Sequence, residues 1–237
     1  MPIIDPPDVR SIMAIAAHPD DIEAWCAGTL ARAIDSGATV RLLLVTSGDK
    51  GSGDPAADAR AVAMRREAEA REAARLLGIV DVAFLRYTDG EVENTLPLLR
   101  DIVGGIRRWQ PEVVFTFDPV DPLPRYISHR DHRTVGRATL DAIYPLARDP
   151  LAFPQQLRDG LTTYKVGAVW LFASAIADAY VDIAATFERK VAARLAHASQ
   201  TADPAALPER FRKRDSDAGS PVGLSLAEAF TVVTIER

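Results

Sequence analysis

Short runs of consecutive apolar residues alternate along this chain with longer stretches in which apolar positions recur every three or four residues. Residues 12–17 (IMAIAA), 39–46 (TVRLLLVT), 82–87 and 113–117 (VVFTF) have the length and composition of buried strands. Between them, Ile22, Trp25, Cys26, Leu30, Ala33 and Ile34 fall at helical spacing, and a long Ala/Arg/Glu helix ends at Gly78, which reads as its C-cap. Asn94 or Thr95 caps a further helix that has Pro97 in its first turn and Leu99, Ile102, Val103 and Ile106 on one face. Val135, Ala138, Ala142, Ile143 and Leu146 mark the next helix. Residues 166–173 are strand-like, Phe187, Val191 and Leu195 mark another helix, and residues 230–235 form a closing strand. Strands separated by helices predict βαβ units: an α/β fold with a mainly parallel sheet and helices on both faces.

The 237 residues suit a single domain spanning 1–237, with loops expected to be mobile near 48–58, 119–128 and 199–223, where Gly, Pro and charge concentrate. A chain of this length buries roughly 70–75% of the surface its unfolded form exposes, so it needs no disulfide or structural metal to fold. The 28 Lys and Arg stand against 33 Asp and Glu. The densest basic run, 210–214, is followed at once by Asp215 and Asp217, so nucleic acid is not expected as a partner. Apolar runs of about ten residues are too short to span a bilayer. The N-terminus lacks the pattern of a signal peptide, and a cytoplasmic protein without membrane contact is the expectation. One cysteine, Cys26, excludes an intramolecular disulfide framework and multi-cysteine zinc sites, and its place on an apolar helix face favours packing.

Two runs carry chemistry: AAHPDDIE at 16–23 and HRDHRTVG at 129–136. Both fall after predicted strands, where open α/β sheets bind ligands. Three of the four histidines lie in them. Pro19 biases His18 toward extended backbone, so His18 belongs to the strand end, while Asp20 and Asp21 open the helix. His18 and Asp21 can converge on one cation, leaving Asp20 free for proton transfer. In the second run one of His129 and His132 can complete a metal site. The other is then available as an acid or oxyanion donor, and Asp131 can fix the tautomer of one ring. With His132 as third ligand, two nitrogens and a carboxylate leave one open position, the pattern of catalytic zinc; Fe2+ or Co2+ could use the same ligands. The plain alternative for each run is a helix cap beside structural histidines.

Together the two runs resemble the LmbE/PIG-L family of metal-dependent N-deacetylases, whose hallmarks are His-Pro-Asp-Asp after the first strand and a later His-x-Asp-His. Further similar pieces are Arg66–Glu69 before Leu77-Gly78, Thr88-Asp89-Gly90, and Lys190 leading to His197-Ala198-Ser199-Gln200. The resemblance implies a Rossmann-like three-layer fold and hydrolysis of an acetamide on a small N-acetylglucosamine-type substrate. It implies Zn2+ held by His18, Asp21 and His132, with Asp20 as general base, His129 as an oxyanion-stabilising or acid histidine, and Asp131 as the tuning aspartate. Arg66 and Asp89 match positions associated with sugar binding. Relatives with a catalytic tyrosine carry it two residues before His129, where this chain has Ile127; Tyr126 is one residue further back and remains a candidate for the pocket. Homo-oligomers are common among such enzymes.

Two other classes compete with this reading. A metal hydrolase of an ester or phosphate would fit the ligands, but the loop GDKGSGD lacks the order of a P-loop. A non-catalytic binding module is disfavoured because no GxGxxG follows the first strand.

Overall fold

The computed structural model describes residues 2–120 and 127–235. In chain order its main elements are β1 Ser11–Ala16, α1 Asp21–Trp25, α2 Ala27–Asp35, β2 Thr39–Thr46, α3 Ala59–Leu77, β3 Asp81–Tyr87, α4 Leu96–Trp109 and β4 Val113–Phe117. There follow α5 Arg130–Ile143, α6 Pro154–Arg158, β5 Ala168–Phe172, β6 Ala179–Asp182, α7 Phe187–Ala196, α8 Leu207–Gly219 and β7 Ala227–Thr234.

The strands form one seven-stranded sheet in the order β3-β2-β1-β4-β5-β7-β6. The first five run parallel, and β7 pairs antiparallel with both β5 and β6. The order reverses between β1 and β4, a topological switch point, and both carboxyl ends open toward the same crevice. Helices α2, α3, α7 and α8 pack on one another as one layer, and α4 and α5 form the other. This is the three-layer α/β/α arrangement expected from the apolar pattern.

β1 is almost wholly buried, as a central parallel strand between two helical layers must be. Gly78 takes φ 89° as the C-cap of α3, and the Thr95 hydroxyl caps α4. The single helix expected after β1 is two: the chain breaks at Cys26, and the Glu228 carboxylate, reaching over from β7, accepts the backbone N–H groups of Gly28 (3.0 Å) and Thr29 (2.8 Å) at the start of α2. Cys26 itself is buried in the core, as expected.

The segment 199–223, expected as a loop, is mostly α8, and β6 lies where no strand was expected. Leu146, expected to extend α5, sits instead in a separate 3-10 turn. Residues 48–58 are irregular, and the 119–128 segment falls largely outside the described residues. Among the described residues no helix is long and apolar enough to cross a membrane.

Candidate metal centre and active site

β1 delivers His18 to the crevice, and Pro19 turns the chain so that Asp20 adopts φ 98°, left-handed backbone unusual for a residue with a Cβ. That turn aims Asp20 and Asp21 in different directions. Asp21 points back: its Oδ2 accepts the N–H groups of Ala17 (3.1 Å) and His18 (2.7 Å). From the second run, His129 is the N-cap of α5 and His132 lies one turn further, its ring stacked on Phe117 at 4.0 Å.

Three donors converge. His18 Nδ1 is 3.2 Å from His132 Nε2, His132 Nε2 is 3.1 Å from Asp21 Oδ1, and His18 Nδ1 is 3.6 Å from Asp21 Oδ2. Ligands bonded at about 2.0–2.1 Å to a tetrahedral ion stand about 3.3 Å apart, so this triangle has the dimensions of a metal face. Ring nitrogens of His18, His129 and His132 also cluster within 4.8 Å, as do donor atoms of His18, Asp89, His129 and Asp131. These residues could hold a metal ion.

The far side of His18 is equally defined. Its Nε2 meets Asp89 Oδ1 at 3.1 Å and Asp131 Oδ2 at 3.2 Å. Proton donation from Nε2 to these carboxylates fixes the ring and leaves Nδ1 facing the triangle, the usual arrangement of a ligating histidine. Burial opposes a charge on this ring, but hydrogen bonds to Asp131 and Asp21 overcome it and raise its pKa to about 12, so an ion bound at Nδ1 would displace the proton there. Burial likewise disfavours charge on Asp21, yet His132 and His18 hold it well below the usual carboxylate range.

Of the two rings, Asp131 is closer to His18: its Oδ2 is 3.2 Å from His18 Nε2 and 4.0 Å from His129 Nδ1. It also accepts the N–H groups of Gly90 (2.7 Å) and Val92 (3.3 Å), so the turn after β3 is tied to the site through this fully buried carboxylate. His129 Nδ1 accepts the Asp131 N–H at 3.3 Å, which puts the ring proton on Nε2. Burial and the neighbouring His18 push the His129 pKa down.

Asp20 lies to one side of the triangle. Its Oδ1 pairs with Arg66 Nη2 and its Oδ2 with Arg194 Nη2, each at 3.3 Å. Burial, then repulsion from Asp21, lifts its pKa to about 6 against the pull of Arg194 and Arg66.

Arg66 is buried and donates to Gly48 O (3.1 Å) and Pro19 O (2.7 Å), so it braces the His-Pro-Asp-Asp turn. Gly48, at φ +63°, is required here, because a Cβ would lie 2.1 Å from the guanidinium. Glu69 accepts from Ser199 and pairs with Arg65. Tyr126 lies outside the described residues, and Ile127 is exposed. Arg194 was missed in the sequence. The available signal was its spacing: Phe187, Lys190, Val191 and Arg194 set two cations on the inward face of one helix.

A donor triangle and an adjacent clamped carboxylate at the switch point of an α/β/α sheet define a hydrolase-like centre. The chain belongs to the PIG-L family: residues 13–143 match the family model described as GlcNAc-PI de-N-acetylase. Diacetylchitobiose deacetylase of Thermococcus kodakarensis is 32% identical over 81% of this chain and 71% of that protein. A 1D-myo-inositol 2-acetamido-2-deoxy-alpha-D-glucopyranoside deacetylase of Mycobacteroides abscessus is 30% identical over 96% and 90%. The solved N,N'-diacetylchitobiose deacetylase from Pyrococcus horikoshii superposes with TM-score 0.87 at 28% identity, covering 96% of this chain and 85% of that one.

Proposed function

We propose that this protein is a metal-dependent N-deacetylase that hydrolyses the acetamide of a small N-acetylglucosamine-type sugar. The observation that carries the reading is the His18–Asp21–His132 triangle, with edges of 3.1–3.6 Å, beside a carboxylate that makes no part of it. The names of its relatives support the acetamide and the amino sugar. Zinc is the ion these two imidazoles and one carboxylate suit best; bound there, it would bring water's pKa toward 7 and polarise the acetamide carbonyl.

The chain's own residues supply the rest. Asp20, with a pKa of about 6, is ionised at neutral pH and takes a proton from the attacking water. His129, with its proton on Nε2, donates a hydrogen bond to the carbonyl oxygen as negative charge grows there. One such preorganised donor is worth about 2.7–4 kcal/mol. The protonated Asp20 then returns its proton to the leaving nitrogen as the C–N bond breaks, giving acetate and the free amine. Arg66 holds the turn that carries Asp20, and Asp89 and Asp131 hold His18, so all three serve the reaction through other residues.

The test is amine release from a panel of N-acetylglucosaminides by zinc-loaded protein, with a phosphate ester and an ordinary ester as controls. Release by the native chain and a loss of about 10²–10⁴-fold in Asp20→Asn, with metal content unchanged, is the expected result. Full activity in Asp20→Asn would remove Asp20 as the base. Turnover of a control ester alone would replace the deacetylase reading.

A further inference from the structure

We infer that Arg194 is a positioning residue for Asp20, holding the carboxylate in the orientation that proton transfer requires; the inference rests on Asp20 acting as the base. Asp20 cannot orient itself. Its backbone is left-handed, its side chain makes no capping bond to α1, and its neighbour Asp21 is turned the other way by two backbone N–H groups. Its two oxygens are instead held from opposite elements, Oδ1 by Arg66 from α3 and Oδ2 by Arg194 from α7, both at 3.3 Å.

The two guanidiniums are not equivalent. Besides Asp20, Arg66 donates to main-chain carbonyls of two loops, Gly48 O and Pro19 O, so removing it disturbs the whole turn. Arg194 makes no bond to the turn's backbone; on the site side its contact is with the Asp20 carboxylate.

Arg194 is itself anchored from behind. Its Nη1 donates to Thr201 Oγ1 at 2.7 Å, and that hydroxyl donates to His197 O at 2.9 Å. Nη2 also donates to Gln200 O at 3.1 Å. The 3-10 turn Ala198–Gln200 is fastened in turn: Ser199 donates to Glu69 on α3 through both its N–H (2.9 Å) and its hydroxyl (2.6 Å), and Gln200 Nε2 donates to Gly51 O at 2.9 Å. A fixed guanidinium therefore meets the carboxylate oxygen that Arg66 does not hold, so the two cations together fix its orientation. Misplacing a reacting group by about 1 Å can cost about 10²-fold in rate. The His197-Ala198-Ser199-Gln200 run thereby acquires a role: it seats the arginine that seats the base.

The experiment compares the zinc-loaded native protein with Arg194→Ala and Arg194→Lys, reading kcat and KM separately, together with metal content and Tm. Expected for Arg194→Ala is a kcat lower by about 10–100-fold with KM within about twofold, metal content unchanged, and partial recovery on adding free guanidinium ion. Arg194→Lys should retain more activity than Arg194→Ala and covers the case in which the alanine variant does not fold. A raised KM with unchanged kcat would make Arg194 a substrate-binding residue and overturn the inference. So would native kcat in either variant, or a deficit that guanidinium leaves untouched while Tm or metal content falls. Asp20→Asn separates the two levels: if it is fully active the base reading has failed, whereas if it is inactive and Arg194→Ala is not, only the positioning role has failed.

Discussion

His18 divides its two ring nitrogens between the donor triangle on one side and a pair of carboxylates on the other. That division makes the residues behind the ring as important to metal affinity as those in front. Asp131→Ala removes one of the two Nε2 partners and strands the N–H groups of Gly90 and Val92, so a 10–100-fold weaker zinc affinity is expected in competition with a chelating dye. A second buried ionic group serves stability. Lys190 Nζ sits between Glu228 Oε1 (2.7 Å) and Asp215 Oδ2 (2.8 Å), all nearly inaccessible to solvent. Lys190→Met leaves two buried carboxylates without their shared cation, and urea denaturation should register a loss of about 3–5 kcal/mol. At this scale the sequence was most legible where contacts are local. His18, Asp20 and Asp21 share one turn, and His129, Asp131 and His132 share another, so residue type and spacing revealed the donors. Which carboxylate holds which ring, and the grip of Arg194 on Asp20, depend on how distant segments dock, and no local spacing encodes that.

Among the elements, α5 brings its half of the site into place by lying close against β4. Gly136 makes the approach possible: a Cβ there would fall 2.4 Å from Phe117 O, backbone that cannot move aside. His132 stands one turn earlier on the same helix and stacks on the ring of that same Phe117. Gly136→Ala should therefore push the helix outward, lowering stability by about 1–3 kcal/mol and weakening zinc binding together. Thermal melts and dye competition on one preparation test the pairing; a stability loss with native affinity would contradict it. The strands β1 to β5 were readable as apolar runs because both faces of a parallel sheet are covered. The helix α8 was not, for a chemical reason. Its buried stripe is Leu207, Phe211, Asp215 and Gly219, and the position where an apolar side chain would announce a helix holds the carboxylate that meets Lys190. β6 has only four residues and takes its main pairing from β7, far along the chain.

For the whole molecule, the donor triangle ties β1 and α1 to α5 across the switch point, so a bound ion should act as a cross-link of the native state. An ion that binds the folded chain alone stabilises it by about 2.7 kcal/mol at a hundredfold excess over its Kd. Zinc should accordingly raise Tm, chelator should lower it, and His18→Ala should abolish the shift. An unchanged Tm across a zinc titration of the native chain would argue against a site at this seam. The sheet that carries the seam is assembled out of chain order, since β7 is inserted between β5 and β6. During synthesis β5 and β6 leave the ribosome well before the strand that joins them, and among the described residues the earlier contact of β6 is with the N-terminal segment around Ile3. The half of the sheet bearing His18 and Asp21 can pair while translation continues, but the other half waits for residues 227–234. For that interval the nascent protein presents an open strand edge at β5, and a chaperone or a slowed ribosome would have its effect there.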